Sequence, residues 1–331
     1  MPTPTRGCYL YLLVIDTQTH CLPPAARRLL RQATGPDHPQ GAVLAAEEHA
    51  YFDLAHRVPL MDALGVDVAA VSLMPFPPLD DAASAAQLAK VANDELLQAC
   101  AAHPSRFVAL AHLPLPDVRA ALAELDRIAG EPLLRGLSIV AGQTRYRPDG
   151  IGMEPLLARA AELGLPVVLH PTVLSLDFGP GFAGLGLESG MQAMVSTSLV
   201  AARIALSGIL DRVPDLELVL TNLGGVLPFL GERLDTRRQG PAQRPMTEYL
   251  RTQMSFDACG YPAGVAFRCA LDAVGPERIL LGSDYPARPV EPHLDAVRSL
   301  GLDSAAQAAI LGGNAARWFD PARPRTPPAL H

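Results

Sequence analysis

Short apolar runs, each followed by an amphipathic segment, recur along most of this 331-residue chain. Most of the runs are continuously apolar rather than alternating, which is typical of strands that are buried on both faces of a parallel sheet. The segments between them have helical periodicity, and one of them (153–164) ends on Gly164 with Pro166 close behind, a common helix stop. Eight runs are interpreted as strands, at 11–16, 68–73, 107–113, 135–140, 166–171, 216–222, 254–258 and 278–284.

Eight strands that alternate with helices over this length predict an α/β fold, the (β/α)8 TIM barrel. A doubly wound open sheet is the alternative. However, no GxGxxG motif follows the first strand and no GxxxxGK[ST] motif is present, which disfavours dinucleotide-binding and P-loop folds. Because no linker-like stretch or long-period repeat interrupts the chain, we expect one domain over residues 1–320 and a flexible tail over 321–331.

Composition limits the partners and the compartment. A net charge of -7 without any basic run argues against a nucleic-acid partner. Five cysteines form no CxxC pair and leave one unpaired in any disulfide scheme, so we expect reduced thiols in a cytoplasmic protein. The apolar run near the start, CYLYLLVI, is far too short to span a bilayer, and we expect no membrane partner.

Polar side chains stand at the carboxyl ends of the predicted strands, where a barrel of this kind builds its active site. Gln18 and His20 follow the first strand and are two apart, so they share a face if the chain stays extended. One histidine on a strand is more often a packing residue than a ligand. Several residues of ligand type at the same end favour a functional site, and the others here are His112, His170, Asn222, Asp257 and Asp284.

Several segments, in order and at matching spacing, resemble the decarboxylase-type branch of the amidohydrolase superfamily. They include VIDTQTHCLPP, LGLPVVLHP, TNLGGVLPFLGERLD and ILLGSDYP. That branch contains aminocarboxymuconate semialdehyde decarboxylase and the resorcylate-type decarboxylases, and the resemblance covers nearly the whole chain. It implies a divalent metal held by His20, His170 and Asp284, with Gln18 at a position where a fourth metal ligand is usual.

The resemblance also assigns roles to residues outside the metal set. Asn222 stands where the family usually carries a histidine that activates water or moves a proton. Arg233 matches an arginine that in some relatives reaches a neighbouring subunit to hold a substrate carboxylate, which implies a homodimer; a solvated helix arginine is the alternative. Asp257, at the end of strand seven, is a further candidate for binding the substrate.

Two substitutions change what such a site can do. Three ligands plus water suffice for catalytic zinc, so we expect Zn²⁺ to remain the most suitable ion, held less tightly because the neutral oxygen of Gln18 is a poorer zinc ligand than imidazole. Asn222 cannot accept and return a proton near neutral pH, although its amide can donate a hydrogen bond to an oxyanion. Proton transfer would then fall to Asp284, His112 or His20.

A long glycine-rich stretch follows His170, and its apolar side chains predict a mobile lid around residues 172–190. Such a lid suits an aromatic or unsaturated small molecule. We therefore weigh three hypotheses: a metal-dependent lyase that decarboxylates a small carboxylated metabolite, a metal-independent hydrolase, lactonase or cyclase in the same barrel, and a non-catalytic metabolite-binding relative. An altered site of this kind would fit an enzyme of specialised metabolism.

Overall fold

The structure is a computed structural model, and it describes residues 13–34, 41–45, 49–76, 79–140, 153–171, 185–237, 239–261 and 263–325. Within these residues, eight parallel strands form one sheet in which each strand pairs with the next along the chain. This order, with helices between the strands, confirms the (β/α)8 barrel. The strands are β1 (Ile15–Cys21), β2 (Val68–Leu73), β3 (Phe107–His112), β4 (Leu134–Val140), β5 (Val167–His170), β6 (Leu218–Leu220), β7 (Met254–Asp257) and β8 (Ile279–Leu280).

Helices connect the strands on the outside of the barrel, and several begin at a capping aspartate. The carboxylate of Asp81 accepts a hydrogen bond from the Ser84 amide, and that of Asp117 accepts one from the Ala120 amide. The α-helices are α1 (Pro24–Thr34), α2 (Gly41–Ala45), α3 (Val58–Leu64), α4 (Ala82–Ala102), α5 (Val118–Ile128), α6 (Met153–Glu162), α7 (Ala193–Leu206), α8 (Ile209–Arg212), α9 (Leu227–Thr236), α10 (Met246–Thr252), α11 (Val265–Val274), α12 (Glu291–Ser299), α13 (Ser304–Ala308) and α14 (Ala316–Phe319).

The barrel closes between β1 and the segment that follows β8. The amide of Thr17 donates to the carbonyl of Leu281, and the amide of His20 donates to the carbonyl of Tyr285. Between these bonds, the amide of Asp284 donates to the carbonyl of Gln18 at 2.9 Å. Closure therefore places Gln18 and His20 directly beside Asp284, although more than 260 residues separate them in sequence.

Apolar side chains pack against both faces of the strands, inside the barrel and between the barrel and its helices. Inward side chains such as Ile15, Val108 and Leu280 fill the barrel interior, and Phe319 of α14 packs against the same cluster. A second, larger cluster lies between the strands and the surrounding helices. Helix α14 contacts β1, β2 and β4 and packs against the interior cluster. Apolar side chains therefore close that end of the barrel. The polar residues lie at the opposite, carboxyl ends of the strands, as in other barrels of this type.

Strand β1 differs from its predicted bounds. The prediction ended it at residue 16, whereas it continues to Cys21 by pairing with β2. The pairing register shifts between Asp16 and Thr19, as in a β-bulge. Before the shift Ile15 faces the interior, and after it Gln18 and His20 do so while Thr19 lies on the side of α3. The bulge therefore directs two polar side chains into the barrel, a common use of bulges near functional sites.

Other predictions fall partly outside the described residues. Most of the predicted lid, residues 172–184, lies there, and the rest contains a π-helical turn at Glu188–Gln192. In the predicted tail, residues 321–325 are described, and the Arg325 guanidinium donates to the carbonyl of Ala129. The helices in the described part of the chain are all too short or too polar to cross a membrane.

Candidate active site

Three side chains meet at the carboxyl end of the barrel. One ligand atom from each of His20, His170 and Asp284 lies within 4.8 Å of the other two. Nε2 of His20 is 2.9 Å from Oδ1 of Asp284, and Nε2 of His170 is 4.0 Å from the same oxygen. The two rings meet edge to face with their centroids 4.8 Å apart. Two imidazoles and one carboxylate therefore face a common point.

The outer nitrogens of both rings are held by neighbouring groups. Nδ1 of His20 is 2.8 Å from the hydroxyl of Ser72, which stands opposite His20 on β2. Nδ1 of His170 is 2.6 Å from the carbonyl oxygen of Pro171 and donates its proton there, since that oxygen can only accept. Contacts of this kind fix the orientation of a metal-ligating histidine and leave Nε2 free for the ion.

The inner nitrogens, Nε2 of His20 and Nε2 of His170, both face the Asp284 carboxylate. Nε2 of His20 is buried and makes no hydrogen bond, despite its short distance to Asp284. Burial, with the nearby His20, lowers the pKa of His170 to about 4, so this ring is neutral at pH 7 and has only the proton that it gives to Pro171. This arrangement fits a divalent cation bound by His20, His170 and Asp284.

The backbone at this end of the barrel is strained. Asp284 has a φ of +68°, and Asn222 and Leu223 after β6 have φ values of +55° and +51°. Left-handed conformations are costly outside glycine and persist where the surrounding structure enforces them, often at functional sites. Burial opposes ionisation of Asp284, but the nearby His20, with smaller effects from His170 and Arg288, outweighs it and holds the pKa of this carboxyl below its usual value.

Gln18 lies between His170 and Asp257. Asp257 sets its amide orientation: the nitrogen is 2.8 and 3.0 Å from the two carboxyl oxygens of Asp257, which leaves the oxygen 2.9 Å from Nε2 of His170. A fully buried carboxylate therefore fixes the glutamine, with the amide oxygen turned towards the candidate metal position. The sequence indicated a weak oxygen ligand at position 18 but not the residue that orients it.

Asp257, a candidate substrate-binding residue, is completely buried. Its Oδ1 accepts hydrogen bonds from the backbone amides of Asn222 and Cys259. Burial raises the pKa of Asp257 to about 8, although these two hydrogen bonds oppose the shift. Because Asp257 also contacts Gln18, its carboxyl group links the ends of β1, β6 and β7.

Asn222 stands at the end of β6 and is partly buried. Its side-chain nitrogen donates to the carbonyl of Cys259 at 3.2 Å. That bond uses one of the two amide protons. Among the described residues the second proton has no partner, so it can serve a ligand in the barrel mouth.

His112 ends β3, which is two strands away from both β1 and β5 in the barrel. The side chain of Asn93 holds its backbone by accepting from the His112 amide and donating to the His112 carbonyl, each at 2.9 Å. The ring lines a small cavity together with Phe76, Ser138 and Val140. Burial lowers the pKa of His112 to about 4, so the imidazole is neutral at pH 7.

Arg233 lies exposed on α9. Within the described part of the chain, its guanidinium forms no hydrogen bond or ion pair, and the three-residue centre is not among its contacts. Exposure of this kind is compatible both with a role in a second subunit and with an ordinary surface arginine.

Sequence reasoning missed a buried polar network behind the centre. Asp16 accepts hydrogen bonds from the hydroxyl and the amide of Ser283, at 2.5 and 3.0 Å. The Arg57 guanidinium, which is also buried, donates to the carbonyl of His20. Ser72 could have been found, because it is the one polar residue in the strand VAAVSL. Nothing local marks Arg57, which lies 37 residues after His20.

The Asp16 carboxyl should make the stability of the protein depend on pH. Burial raises its pKa from 3.8 to about 7, so between these values the folded protein binds a proton that the unfolded chain has lost. This contribution is therefore complete below about pH 4 and is lost as the pH rises through 7. We expect the free energy of unfolding of the wild type, minus that of Asp16→Asn, to fall over this range by up to about 1.4 kcal/mol per pH unit.

Urea unfolding of metal-free protein at several pH values between 4 and 8 would measure this difference. The exposed Asp272 offers a matched control, because Asp272→Asn should leave the pH dependence of the wild type unchanged. A difference between wild type and Asp16→Asn that stays constant or rises with pH would contradict the expectation.

Comparisons with known proteins identify the proteins that this chain is similar to. The family model described as Amidohydrolase matches residues 15–320. The chain is similar to a gamma-resorcylate decarboxylase of Rhizobium sp. (strain MTP-10005), 28% identical over 294 residues that cover 82% of this chain and 89% of that protein. Among solved structures it is similar to 5-carboxyvanillate decarboxylase LigW from Sphingomonas paucimobilis, with a TM-score of 0.84 and 28% identity over 93% of this chain and 99% of that one.

A further solved structure adds a metal to the comparison. Dihydroxybenzoic acid decarboxylase from Polaromonas sp. JS666 shares the fold with a TM-score of 0.79 and 24% identity, over 94% of this chain and 98% of that one. That protein was solved with bound manganese and the inhibitor 2-nitroresorcinol.

Proposed function

The chain belongs to the amidohydrolase family, and we propose that it is a metal-dependent decarboxylase of a small aromatic carboxylic acid. The observation that carries this proposal is the convergence of His20, His170 and Asp284 on one point, with one ligand atom of each within 4.8 Å of the other two. The similarity to resorcylate and carboxyvanillate decarboxylases, which extends over most of both chains, supports the substrate class.

The proposed metal ligands are His20, His170 and Asp284. Two imidazoles and a carboxylate suit Zn²⁺, and the nearby oxygen of Gln18 would also suit Mn²⁺, the ion bound in the Polaromonas enzyme. When bound, such an ion supplies positive charge that polarises substrate oxygens. The chain's own part is to hold these ligands in place through Ser72 and the carbonyl of Pro171.

Decarboxylation of an aromatic acid needs a proton on the ring carbon that loses carbon dioxide. The carbon–carbon bond breaks, its electron pair stays on the ring, and a proton takes the place of the carboxyl group. Asp284 is our candidate for this proton transfer, because it is the carboxyl group at the centre and is 23% exposed, so its side chain reaches the open barrel end. His112 is a second candidate. Asn222 would donate a hydrogen bond instead, because an amide cannot carry the proton.

We also propose that the enzyme is a homodimer in which Arg233 of the partner subunit binds the substrate carboxylate. The exposed position of Arg233 on α9 supports this arrangement, as do Phe229 on the same helix (76% exposed) and Val265 at the start of α11 (78% exposed). Residues 172–190 would form the lid. Sedimentation analysis of the purified protein tests the dimer directly.

Carbon dioxide release tests the proposed activity. Protein reconstituted with Zn²⁺ or Mn²⁺ should decarboxylate at least one member of a panel of 2,6-dihydroxybenzoate, 5-carboxyvanillate and related hydroxylated benzoates. Removal of the metal with a chelator should stop the reaction, and adding the metal back should restore it. Release at equal rates with and without metal, or from no member of the panel, would count against the proposal.

One observation favours a second function, a metal-independent hydrolase, lactonase or cyclase. The oxygen of Gln18 lies 2.9 Å from Nε2 of His170, where a proton on that nitrogen, in place of an ion, would join the two atoms by a hydrogen bond. Metal analysis of protein purified without added metal, beside Gln18→His, separates the two functions. Near-stoichiometric metal in the wild type supports the decarboxylase. A wild type that stays empty while Gln18→His fills would support the metal-independent reaction.

A further inference from the structure

A second polar cavity lies at the opposite end of the barrel from the candidate active site. Its volume is about 430 Å³, within the range of small-molecule sites. Arg135 at the start of β4, Pro166 before β5 and Glu217 before β6 line its inner wall. Trp318 of α14 and the chain that follows it form the other wall. The cavity is therefore built by the amino-terminal ends of three strands and the end of the described chain.

The lining of this cavity is rich in positive charge. Four arginines and two carboxylates line it: Arg135, Arg317, Arg323, Arg325, Asp215 and Glu217. The Glu217 carboxylate already forms a 2.5 Å ion pair with Arg278, so little of its negative charge is left for the cavity. Arg317 also lies 3.5 Å from Glu217, and Arg323 pairs with Asp320 at 3.4 Å. Within the described residues, Arg135 and Arg325 are therefore the lining arginines without an ion pair.

Two of these guanidinium groups have an unused donor among the residues that the structure describes. Arg135 is only 5% exposed, and its Nε makes no hydrogen bond. The buried Nη1 of Arg325 also makes none. The other contacts of these two groups are carbonyl oxygens, of Pro321 for Arg135 and of Ala129 for Arg325. A buried guanidinium with an unused donor and no carboxylate is costly, so a bound anion would relieve it.

The charges of Arg135 and Arg325 also act on each other. Burial and the charge of Arg325 both hold the pKa of Arg135 below its usual value, with a smaller opposing effect from Asp320. Like charges in one cavity repel unless an anion lies between them. Guanidinium groups bind phosphate and carboxylate oxygens through paired hydrogen bonds, which matches the free donors here.

We propose that this cavity binds a small polyanion with phosphate or carboxylate groups, held by Arg135 and Arg325. The excess of arginine over carboxylate in the lining calls for more than one negative charge on the ligand. The site is separate from His20, His170 and Asp284, and its existence does not depend on the reaction proposed for them.

Trp318 provides a reporter for this site, because it is the single tryptophan in the sequence and its ring lines the cavity. The Arg317 guanidinium carbon lies 3.7 Å from the centre of that ring, so an anion that moves Arg317 should change the tryptophan fluorescence. Metal-free full-length protein would be titrated with pyrophosphate and with citrate at constant ionic strength. We expect a saturable change that sodium chloride does not reproduce. The better of the two ligands then identifies the phosphate or the carboxylate source.

Substitution of the arginines tests the assignment. Arg135→Gln and Arg325→Gln should each weaken binding at least about tenfold, as expected when one charged hydrogen-bonding partner is lost. Arg298→Gln is the matched control, because Arg298 lies on α12, outside the lining, and pairs with Asp295 on the surface. If Arg135→Gln does not fold, as judged by circular dichroism, Arg325→Gln decides the result.

Two outcomes would overturn the proposal. The first is the absence of any saturable response of the wild type to both anions, in fluorescence and in calorimetry. The second is equal affinity in the wild type, Arg325→Gln and Arg298→Gln, which would mean that binding occurs elsewhere on the protein.

Discussion

Replacing His20 by alanine should lower the affinity for a divalent metal by more than 100-fold and remove metal-dependent turnover. The loss of a group that only supports a ligand costs about 10–100-fold in affinity or activity, so the loss of a ligand itself should exceed that range. His20 is also the residue that joins β1 to Asp284, since its Nε2 lies 2.9 Å from Oδ1 of that carboxylate. Its removal leaves His170 and Asp284 4.0 Å apart, too few groups for a catalytic zinc site.

Metal content after dialysis and calorimetric titration with Zn²⁺ and Mn²⁺ measure this effect even before a substrate is known. His103→Ala is a matched control, because His103 follows α4 at the other end of the barrel, where its ring contacts Phe107. We expect that control to bind metal as the wild type does. Retention of stoichiometric metal by His20→Ala would refute the assignment of the ligands.

Replacing Asn222 by glycine should lower kcat about 10²–10³-fold while leaving the metal content unchanged. A side-chain donor to a developing oxyanion is worth about 2.7–4 kcal/mol in other enzymes, and Asn222 retains one amide proton for that purpose. Glycine is the appropriate deletion here because the residue has a φ of +55°, which alanine would adopt only with strain. The effect should appear equally in kcat and in kcat/KM, since the interaction forms only in the transition state.

Asn222→His is the informative counterpart. Histidine tolerates a positive φ better than most residues and would supply the proton acceptor that an amide lacks. Turnover by Asn222→His above that of Asn222→Gly would place position 222 at the reacting atoms. Wild-type kcat in Asn222→Gly would instead show that the side chain serves only its bond to the Cys259 carbonyl.

Much of the fold could be predicted from the sequence because the signals are local. A continuous apolar run of four to eight residues marks a strand buried on both faces, and a glycine such as Gly164 marks the end of a helix. These patterns predicted all eight strands and hence the barrel. The polar residues at the strand ends could likewise be recognised from the sequence, and their positions indicated that His170 and Asp284 would meet at one end of the barrel.

The bounds of the short strands could not be predicted in the same way. The run predicted for the last strand extended to residue 284, whereas β8 contains only Ile279 and Leu280 and the remainder is a loop that closes the barrel against β1. An apolar run records burial and not hydrogen bonding, so it continues into buried loops. Burial of Leu281 and Ser283 illustrates this point.

The sequence by itself determined the barrel, the chemical types at its carboxyl end and the departures at Gln18 and Asn222. Only the tertiary structure decided how those side chains are used. A register shift in β1 turns Gln18 inward, and Asp257, 239 residues away, orients its amide towards His170. The cluster of arginines at the other end of the barrel likewise cannot be recognised from the sequence. The reason is physical: periodicity reports which residues are buried, whereas pairing, strain and charge depend on contacts between segments that meet only after the chain has folded.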